Sequence, residues 1–255
     1  KQTQPFIYLD TRIGTGAFTF VDSVFINNSV KFSLFYVTKG KLYLLNVKIE
    51  KLSRQIFPLE ELTPSNLIYL SYPYALCVLG IIDVDIAFNS SEFKNIDSSC
   101  VYINVGKIDC FNSTFDNREL RVINEDPKDN QIDDLQEGVS WIKVESSTIN
   151  IVLGTYSEFK YSNFLDNRLK TWKGGAVHIY GYGIMSIKFE GNKFIGNSAV
   201  YGGAVCIENS NAVVTFNSDE FYDNEASYGG AIYKYSKSKF CLSLNNPIIA
   251  GLDKS

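Results

Sequence analysis

The sequence predicts an all-β chain, folded as a single-stranded, right-handed parallel β-helix of about eight coils. Three observations predict this fold: a nearly constant repeat, short apolar segments that alternate with period two, and Gly or Asn at the turns. In residues 161–235, a Phe-x-x-Asn element is followed three times by Gly-Gly-Ala-Val or Gly-Gly-Ala-Ile. The glycine pairs 174–175, 202–203 and 229–230 are 28 and then 27 residues apart. Such a period is typical of a solenoid in which each repeat forms one coil.

A four-residue apolar segment marks the first strand of each coil. The eight copies begin at Phe6, Leu34, Leu67, Cys100, Ser140, Ala176, Ala204 and Ala231. Because alternate strand residues face the same side, one inward column is predicted to contain Ile7, Phe35, Ile68, Val101, Trp141, Val177, Val205 and Ile232. The next inward column is predicted to contain Leu9, Val37, Leu70, Ile103, Ile179 and Ile207.

Two further strands complete each coil. The second strand alternates strictly, as in 17–20, 41–44, 185–189 and 212–216, and the third ends in Phe-x-x-Asn. The phenylalanines are predicted to stack inside the coils, at Phe25, Phe164, Phe194 and Phe221. The asparagines are predicted to hydrogen-bond from coil to coil, at Asn28, Asn167, Asn197 and Asn224. Shorter spacings at Phe93-Lys-Asn95 and Phe115-Asp-Asn117 leave the register of two middle coils open. Three strands per coil, with parallel crossovers, indicate a right-handed β-helix.

Residues 1–255 are predicted to form one β-helix domain with two loop excursions, near 50–66 and 118–138. The first excursion contains a short helical turn in the prediction, at 59–62. The second is acidic, and its simplest interpretation is a solvated loop. A calcium site there is the alternative, although the spacing of its acids does not follow the usual calcium-loop signature. Excursions from a solenoid leave one face, which is often the binding face.

Composition limits the classes of function. The net charge of −4, with mixed signs, argues against nucleic-acid binding. No segment reaches the roughly 18 apolar residues of a membrane span. The five cysteines show no metal-ligand spacing, and we predict neither a metal nor a cofactor. Since residue 1 is Lys and the one methionine is Met185, we expect a trimmed segment of a longer chain, or a unit that stacks along its axis.

Enzyme chemistry is not predicted. The candidate acids are Asp83, Asp85 and Asp109, and Lys107 is the one base near them. His178, the single histidine, occupies a strand position that other coils fill with Tyr, which favours a stacked ring over a general base. A polysaccharide lyase or hydrolase is the weaker alternative, because many β-helices act on polysaccharides.

The combination of Gly-Gly-Ala-Ile/Val with Phe-x-x-Asn resembles the repeats of chlamydial polymorphic outer membrane proteins. More broadly, it is similar to right-handed parallel β-helix (pectin-lyase-like) surface proteins of bacteria and protists. The resemblance is specific in residues 161–235. It implies an exported, surface-displayed β-helix that serves in adhesion or as a structural stalk.

Two sets of surface residues are predicted to meet other molecules. Asn27, Asn89 and Asn112 each begin an Asn-x-Ser/Thr sequon and are candidates for N-glycosylation in an exported eukaryotic protein. An outward aromatic stripe is predicted at Tyr8, Tyr36, Tyr69, Tyr102, His178 and Tyr233, with Cys206 in the same row. This stripe is predicted either to pack against another chain or to lie beneath one of the excursions. The expected function is that of an extracellular or cell-surface structural rod or filament subunit, which associates with itself or with other surface proteins. An adhesin or a carbohydrate-binding module is the alternative.

Overall fold

The computed structural model describes residues 7–10, 16–26, 29–30, 33–54, 74–78, 84–96, 99–104, 106–118, 147–152, 156–168, 173–181, 184–208, 211–235 and 241–250. These described residues contain 26 β-strands and no helix. Every strand pair is parallel, and each strand pairs with its counterparts in the preceding and following coils. The chain is therefore a parallel β-helix of eight coils, as the sequence predicts.

The three faces of the solenoid are named here the first, second and third sheets. The first sheet contains β1 (Ile7–Asp10), the start of β5 (Ser33–Leu45), β7 (Tyr74–Val78), β10 (Val101–Ile103), β13 (Ile149–Ile151), β16 (Val177–Ile179), β20 (Val205–Ile207) and β24 (Ile232–Lys234). The second contains β2 (Ala17–Val21), the end of β5, β8 (Val84–Asn89), β11 (Lys107–Phe111), β14 (Tyr156–Lys160), β17 (Met185–Glu190), β21 (Ala212–Asn217) and β25 (Cys241–Asn245). The third contains β3 (Val24–Ile26), β6 (Lys48–Arg54), β9 (Glu92–Ile96), β12 (Thr114–Asp116), β15 (Asn163–Leu165), β18 (Lys193–Ile195), β22 (Glu220–Tyr222) and β26 (Ile248–Ala250).

Two short pairings supplement these sheets at the corner between the third and first sheets. One joins β4 (Ser29–Val30) to β6. The other joins β19 (Ser198–Tyr201) to β23 (Glu225–Tyr228), where the rings of Tyr201 and Tyr228 stack at 5.0 Å. This corner, called here the 3–1 corner, precedes the glycine pairs.

The first sheet confirms six of the eight predicted inward positions and corrects two. The observed row is Ile7, Phe35, Leu76, Val101, Ile149, Val177, Val205 and Ile232. Leu76 and Ile149 occupy the places predicted for Ile68 and Trp141, and Val78 replaces Leu70 in the second inward column. The prediction is wrong at these coils because the segments 74–78 and 149–151 show the same alternation, and local pattern alone does not choose between neighbouring candidates.

The phenylalanine stack predicted for the third sheet is confirmed at Phe164, Phe194 and Phe221 and extends further than expected. The prediction is wrong at Phe25, whose register partner is Ile49 and whose ring contacts Phe20 and Phe35 edge to face. Phe93 and Phe115, whose register the sequence leaves open, lie in line with Phe164, Phe194 and Phe221. Successive rings from Phe93 to Phe221 have centroids 4.7–5.1 Å apart and are nearly parallel. A second stack, on the second sheet, contains Phe159, Phe189 and Phe216. Together these rings fill the interior, where all of them are fully buried.

The corner between the second and third sheets, called here the 2–3 corner, places one residue per coil in the left-handed region. The eight residues are Asp22, Asn46, Ser90, Asn112, Tyr161, Gly191, Ser218 and Asn246, with φ between 47° and 64°. The residue that follows turns inward and accepts a hydrogen bond from the backbone N–H at the same place one coil earlier. This internal chain runs through Ser91, Ser113, Ser162, Asn192 and Asp219. It satisfies backbone donors that the sheets leave unpaired at the turn.

An asparagine ladder lines the 3–1 corner, as predicted for three of its members. The amide of Asn167 donates to Oδ1 of Asn197 at 2.8 Å, and that of Asn197 donates to Oδ1 of Asn224 at 2.9 Å. Asn117 extends the ladder by donating to Oδ1 of Asn167. The predicted member Asn28 lies outside the described residues. Because these amides are buried and mutually bonded, they hold the corners of successive coils together.

Both predicted excursions begin at the 3–1 corner. Strand β6 ends at Arg54 and β7 begins at Tyr74; β12 ends at Asp116 and β13 begins at Ile149. Residues 55–73 and 119–146, which contain the predicted helical turn at 59–62 and the acidic run, lie outside the described residues. Both excursions thus start from and return to one edge of the solenoid.

Candidate functional site

The described residues of the predicted aromatic stripe lie in one row of the first sheet, and part of this row is buried. The row contains Tyr8, Tyr36, Cys77, Tyr102, Asn150, His178, Cys206 and Tyr233. Tyr69 lies outside the described residues. His178 and Cys206 are fully buried and Tyr36 is 9% exposed, while Tyr102 and Tyr233 are half-buried. His178, Cys206 and Tyr36 are thus covered within this chain, as expected of a parallel strand with two apolar faces, and packing of the stripe against another chain stays a prediction.

A small polar cluster occupies the buried row at His178. The Nε2 atom of His178 lies 3.0 Å from Oε2 of Glu208, and Nζ of Lys173 lies 3.0 Å from the same oxygen. Burial raises the pKa of Glu208, but the hydrogen bonds from His178 and Lys173 outweigh it and leave that pKa below its usual value. Glu208 is therefore a carboxylate, and Nε2 of His178 donates to it. The ring of Tyr180 stacks on His178 at 4.4 Å, which completes the enclosure.

Two buried polar atoms of this row have no hydrogen-bond partner, Nδ1 of His178 and Oδ1 of Asn150. They belong to register partners on adjacent coils. His178 is fully buried, whereas the side chains of Lys173 and Glu208 are 25% and 23% exposed, so the cluster joins a buried ring to a partly exposed ion pair. It acts here as a polar element of the packing.

The acids that the sequence offered for catalysis lie on the outer face of the second sheet, and Asp83 lies outside the described residues. Asp85 pairs with Lys41 at 2.9 Å, and Asp109 pairs with Lys107 at 2.8 Å. The hydrogen bond to Asp109 raises the pKa of Lys107, so this side chain is a cation and not a base. The strand register places Asp85 beside Lys107, and Asp109 beside Ala87 and Glu158. The structure thus brings these residues together as surface ion pairs.

The sequon asparagines Asn89 and Asn112 are exposed and lie on adjacent coils, while Asn27 lies outside the described residues. Asn89 ends strand β8, and Asn112 is the left-handed residue of the next coil. The amide of Asn112 donates to Oγ of Ser90 at 3.2 Å. Both side chains therefore project from the 2–3 corner.

A shallow groove of about 430 Å³ follows the 2–3 corner across the first four coils. Its polar lining comes mainly from Asp22, Asn46, Ser90, Glu92, Asn112 and Thr114. These residues supply carboxylates, amides and hydroxyls, and Nζ of Lys48 adds a positive charge. The amide of Asn46 donates to Oδ1 of Asp22 at 2.7 Å, which orders one end of the groove. The site is polar, has mixed charge and is open to solvent.

An exposed aromatic pair lies beside this groove. Phe111 is 46% exposed and Tyr161 is 52% exposed, with ring centroids 5.8 Å apart and an interplanar angle of 87°. Phe111 pairs in register with Lys160, so the residues that follow them, Asn112 and Tyr161, occupy equivalent corner positions on adjacent coils. No local sequence pattern predicts this pair, because its two residues are 50 positions apart in the chain. The sequence signal for this corner is an Asp, Asn, Ser or Gly directly after the second strand, and Tyr161 is the exception to it.

The described residues contain no group of three or more His, Cys, Asp and Glu side chains placed to hold a metal ion. Among them there is also no helix with the length and apolar character that crossing a bilayer requires. Cys100, Cys110 and Cys206 are buried. Burial raises the pKa of the Cys110 thiol to about 12, which leaves it unreactive at neutral pH.

Comparison with known proteins adds no relative: no family model, no curated protein and no solved structure matches this chain.

Proposed function

We propose that this chain is a non-enzymatic structural protein, an extracellular or surface-displayed β-helix that forms part of a rod or filament. The observation that carries the proposal is the exposure of apolar side chains that belong to the inward columns of the outermost coils. Ile249 is 56% exposed, although its register partner Phe221 is fully buried. Leu244 is 43% exposed beside buried Phe216, and Phe18 is 38% exposed beside buried Leu42. An apolar column that is exposed in this way supports stacking of a further coil on it, from this chain or from another.

The outer faces of the solenoid support axial stacking over lateral packing. On the second sheet, Lys188 pairs with Glu190 at 2.8 Å and with Glu158 at 3.4 Å. On the third sheet, Lys48 pairs with Glu50 at 2.6 Å. Charged side chains on these faces favour contact with water and disfavour sheet-to-sheet association. The ion-paired acids of the second sheet also support a structural function over a polysaccharide lyase or hydrolase.

The resemblance to chlamydial polymorphic outer membrane proteins and to pectin-lyase-like surface proteins supports display outside the cell. Exposed sequons at Asn89 and Asn112 are consistent with export by a eukaryote. Mass spectrometry of the native protein tests this part of the proposal. Unmodified peptides at all three sequons would remove the glycoprotein argument without affecting the fold.

Electron microscopy and sedimentation test the proposed function directly. Eight coils at the usual strand spacing give a unit roughly 35–40 Å long. The native material should show rods several times this length, or units joined end to end. Ile249→Lys should shorten or disperse these rods, because it places a charge on the stacking surface. Val213→Lys is the matched control, since Val213 is 45% exposed on the side of the solenoid. Single units of eight coils in the native material, at every concentration, would contradict the proposal.

A further inference from the structure

We propose that the 2–3 corner of coils one to five is a binding site for a neutral oligosaccharide. Phe111 and Tyr161 form its stacking platform, and the adjoining groove provides its hydrogen-bonding wall. This inference does not depend on the proposed function. The binding site lies on the outer surface, whereas the proposed rod depends on the inward columns of the outermost coils.

The backbone at Tyr161 indicates a role other than stability. Its φ is 51°, in the left-handed region that non-glycine residues rarely adopt and that large side chains adopt least. The other coils place Asp, Asn, Ser or Gly at this position, all of which suit it better. A strained conformation that carries a half-exposed ring is a feature of binding sites, where the surrounding structure maintains the strain.

The ring of Tyr161 is held in place by its neighbours along the stack. A β-carbon at Gly191, the corner residue of the next coil, would lie 2.8 Å from Cδ1 and Cε1 of Tyr161. The ring thus rests directly on the glycine backbone, and Phe111 contacts it from the preceding coil. Because both neighbours restrict the ring, little side-chain entropy is lost when a ligand binds to the platform.

The groove supplies the polar half of the site. Asn112 lines the groove and follows Phe111 directly in the chain, so the platform and the groove adjoin one another. The lining groups carry both charges and include amide and hydroxyl groups, which suits a ligand with many hydroxyls and no net charge. A pyranose has an apolar C–H face and a rim of hydroxyls, and therefore matches an aromatic platform beside a polar wall. The groove spans four coils, or roughly 14 Å at the usual strand spacing, which accommodates an extended oligosaccharide.

A sugar bound at this corner would come from one of two sources, a separate glycan or an N-glycan attached to Asn112. We commit to the separate glycan, because the amide of Asn112 is held by Ser90 and the groove runs away from it over three further coils. The two sources are distinguished with protein made in bacteria, which carries no N-glycan, and with glycopeptide mapping of native protein.

The test is a titration of the unglycosylated protein with neutral cello-, chito-, xylo- and mannooligosaccharides, in which binding is measured by calorimetry or NMR. At least one series should bind. Tyr161→Asn and Phe111→Ala should each weaken that binding by roughly tenfold, the usual worth of an aromatic contact. Tyr161→Asn should also leave the melting temperature unchanged or raise it, because Asn suits a left-handed position. Tyr235→Asn is the matched control, as Tyr235 is 52% exposed at a distant position on the first sheet, and it should bind like the wild type.

Three outcomes would overturn the proposal. The first is that no member of the four series binds. The second is that binding survives both platform substitutions. The third is that the unglycosylated protein does not bind while the native protein carries a glycan on Asn112, which would assign the corner to an attached sugar.

Discussion

A β-carbon on Gly203 would lie 2.2 Å from the carbonyl oxygen of Gly230, its counterpart in the next coil. The second glycine of the first two pairs, Gly175 and Gly203, is thus required by close contact between coils, whereas the first glycine of a pair, such as Gly202 with φ of 65°, is required by its backbone angle. Gly230 differs from Gly203 because the nearest atom to its β-carbon would be the Asn224 carbonyl oxygen at 3.2 Å.

This difference predicts unequal effects of one substitution at two equivalent positions. Gly203→Ala should destabilise the protein by about 3 kcal/mol or more, because the contact is with backbone that has no room to move. Gly230→Ala should cost less than about 1 kcal/mol. Thermal unfolding followed by circular dichroism measures both. Equal losses of stability would show that the spacing between coils is not what excludes a side chain.

The inward column of the first sheet predicts that Val205→Asp prevents folding. Val205 is fully buried between Val177 and Ile232, so an unpaired charge there costs several kcal/mol. Val213→Asp, on the exposed side of β21, should change the melting temperature by only a few degrees at most. An unchanged melting temperature in the Val205 variant would rule out the column.

The asparagine ladder predicts a large effect from a small truncation. In Asn197→Ala, two donors of Asn167 lose their acceptor, and the acceptors Phe164 O and Asn224 Oδ1 each lose a side-chain donor. The expected cost is about 3 kcal/mol, since the abandoned groups are buried. Asn245→Ala removes two exposed hydrogen bonds, one that its amide donates to Asn217 and one that it accepts from the Ser243 hydroxyl, and should cost less than about 0.5 kcal/mol. Chemical denaturation of the two variants provides the comparison, and similar midpoints would contradict the importance of the ladder.

The raised pKa of Asp219 predicts that the stability of the protein depends on pH. Burial raises the pKa of Asp219 from 3.8 to about 6, in spite of hydrogen bonds from Asn192 and Asn217, and the nearby Glu190 adds to the rise. The folded state therefore holds the proton more tightly than the unfolded state. The stability that this provides is fully present below pH 4 and is lost as the pH rises through about 6.

Asp219→Asn should remove this loss. The variant should be more stable than the wild type above pH 6, on the order of 1 kcal/mol, and the difference should shrink towards pH 4. The amide oxygen of the variant keeps the acceptor for both Asn192 donors, and Asn192 itself shows that an amide is accommodated one coil earlier. The Asn217 N–H loses its acceptor Oδ2, which is a cost that does not change with pH. Melting temperatures from pH 4 to 8 measure the effect, with the exposed Asp85→Asn as control. A constant difference across this range would exclude Asp219 as its source.

The sequence by itself determined the class of fold, the eight coils and most of the inward columns. These follow from local chemistry: alternation selects the buried side of each strand, and the Gly-Gly and Phe-x-x-Asn elements mark one corner wherever they occur. The register of the clear repeats follows in the same way, because Val177, Val205 and Ile232 are 28 and then 27 residues apart.

Only the tertiary structure decided which segments pair across the two excursions. Phe35 and Leu76 are 41 residues apart, and Val101 and Ile149 are 48 residues apart. Because neither spacing matches the repeat period, the period does not predict these pairings, which depend on stacking against the neighbouring coils. The tertiary structure also decided that the row through His178 is buried, and that Phe111 and Tyr161 form one surface. Residues on successive coils become neighbours through the parallel register alone, and that register depends on contacts between coils which no local sequence pattern contains.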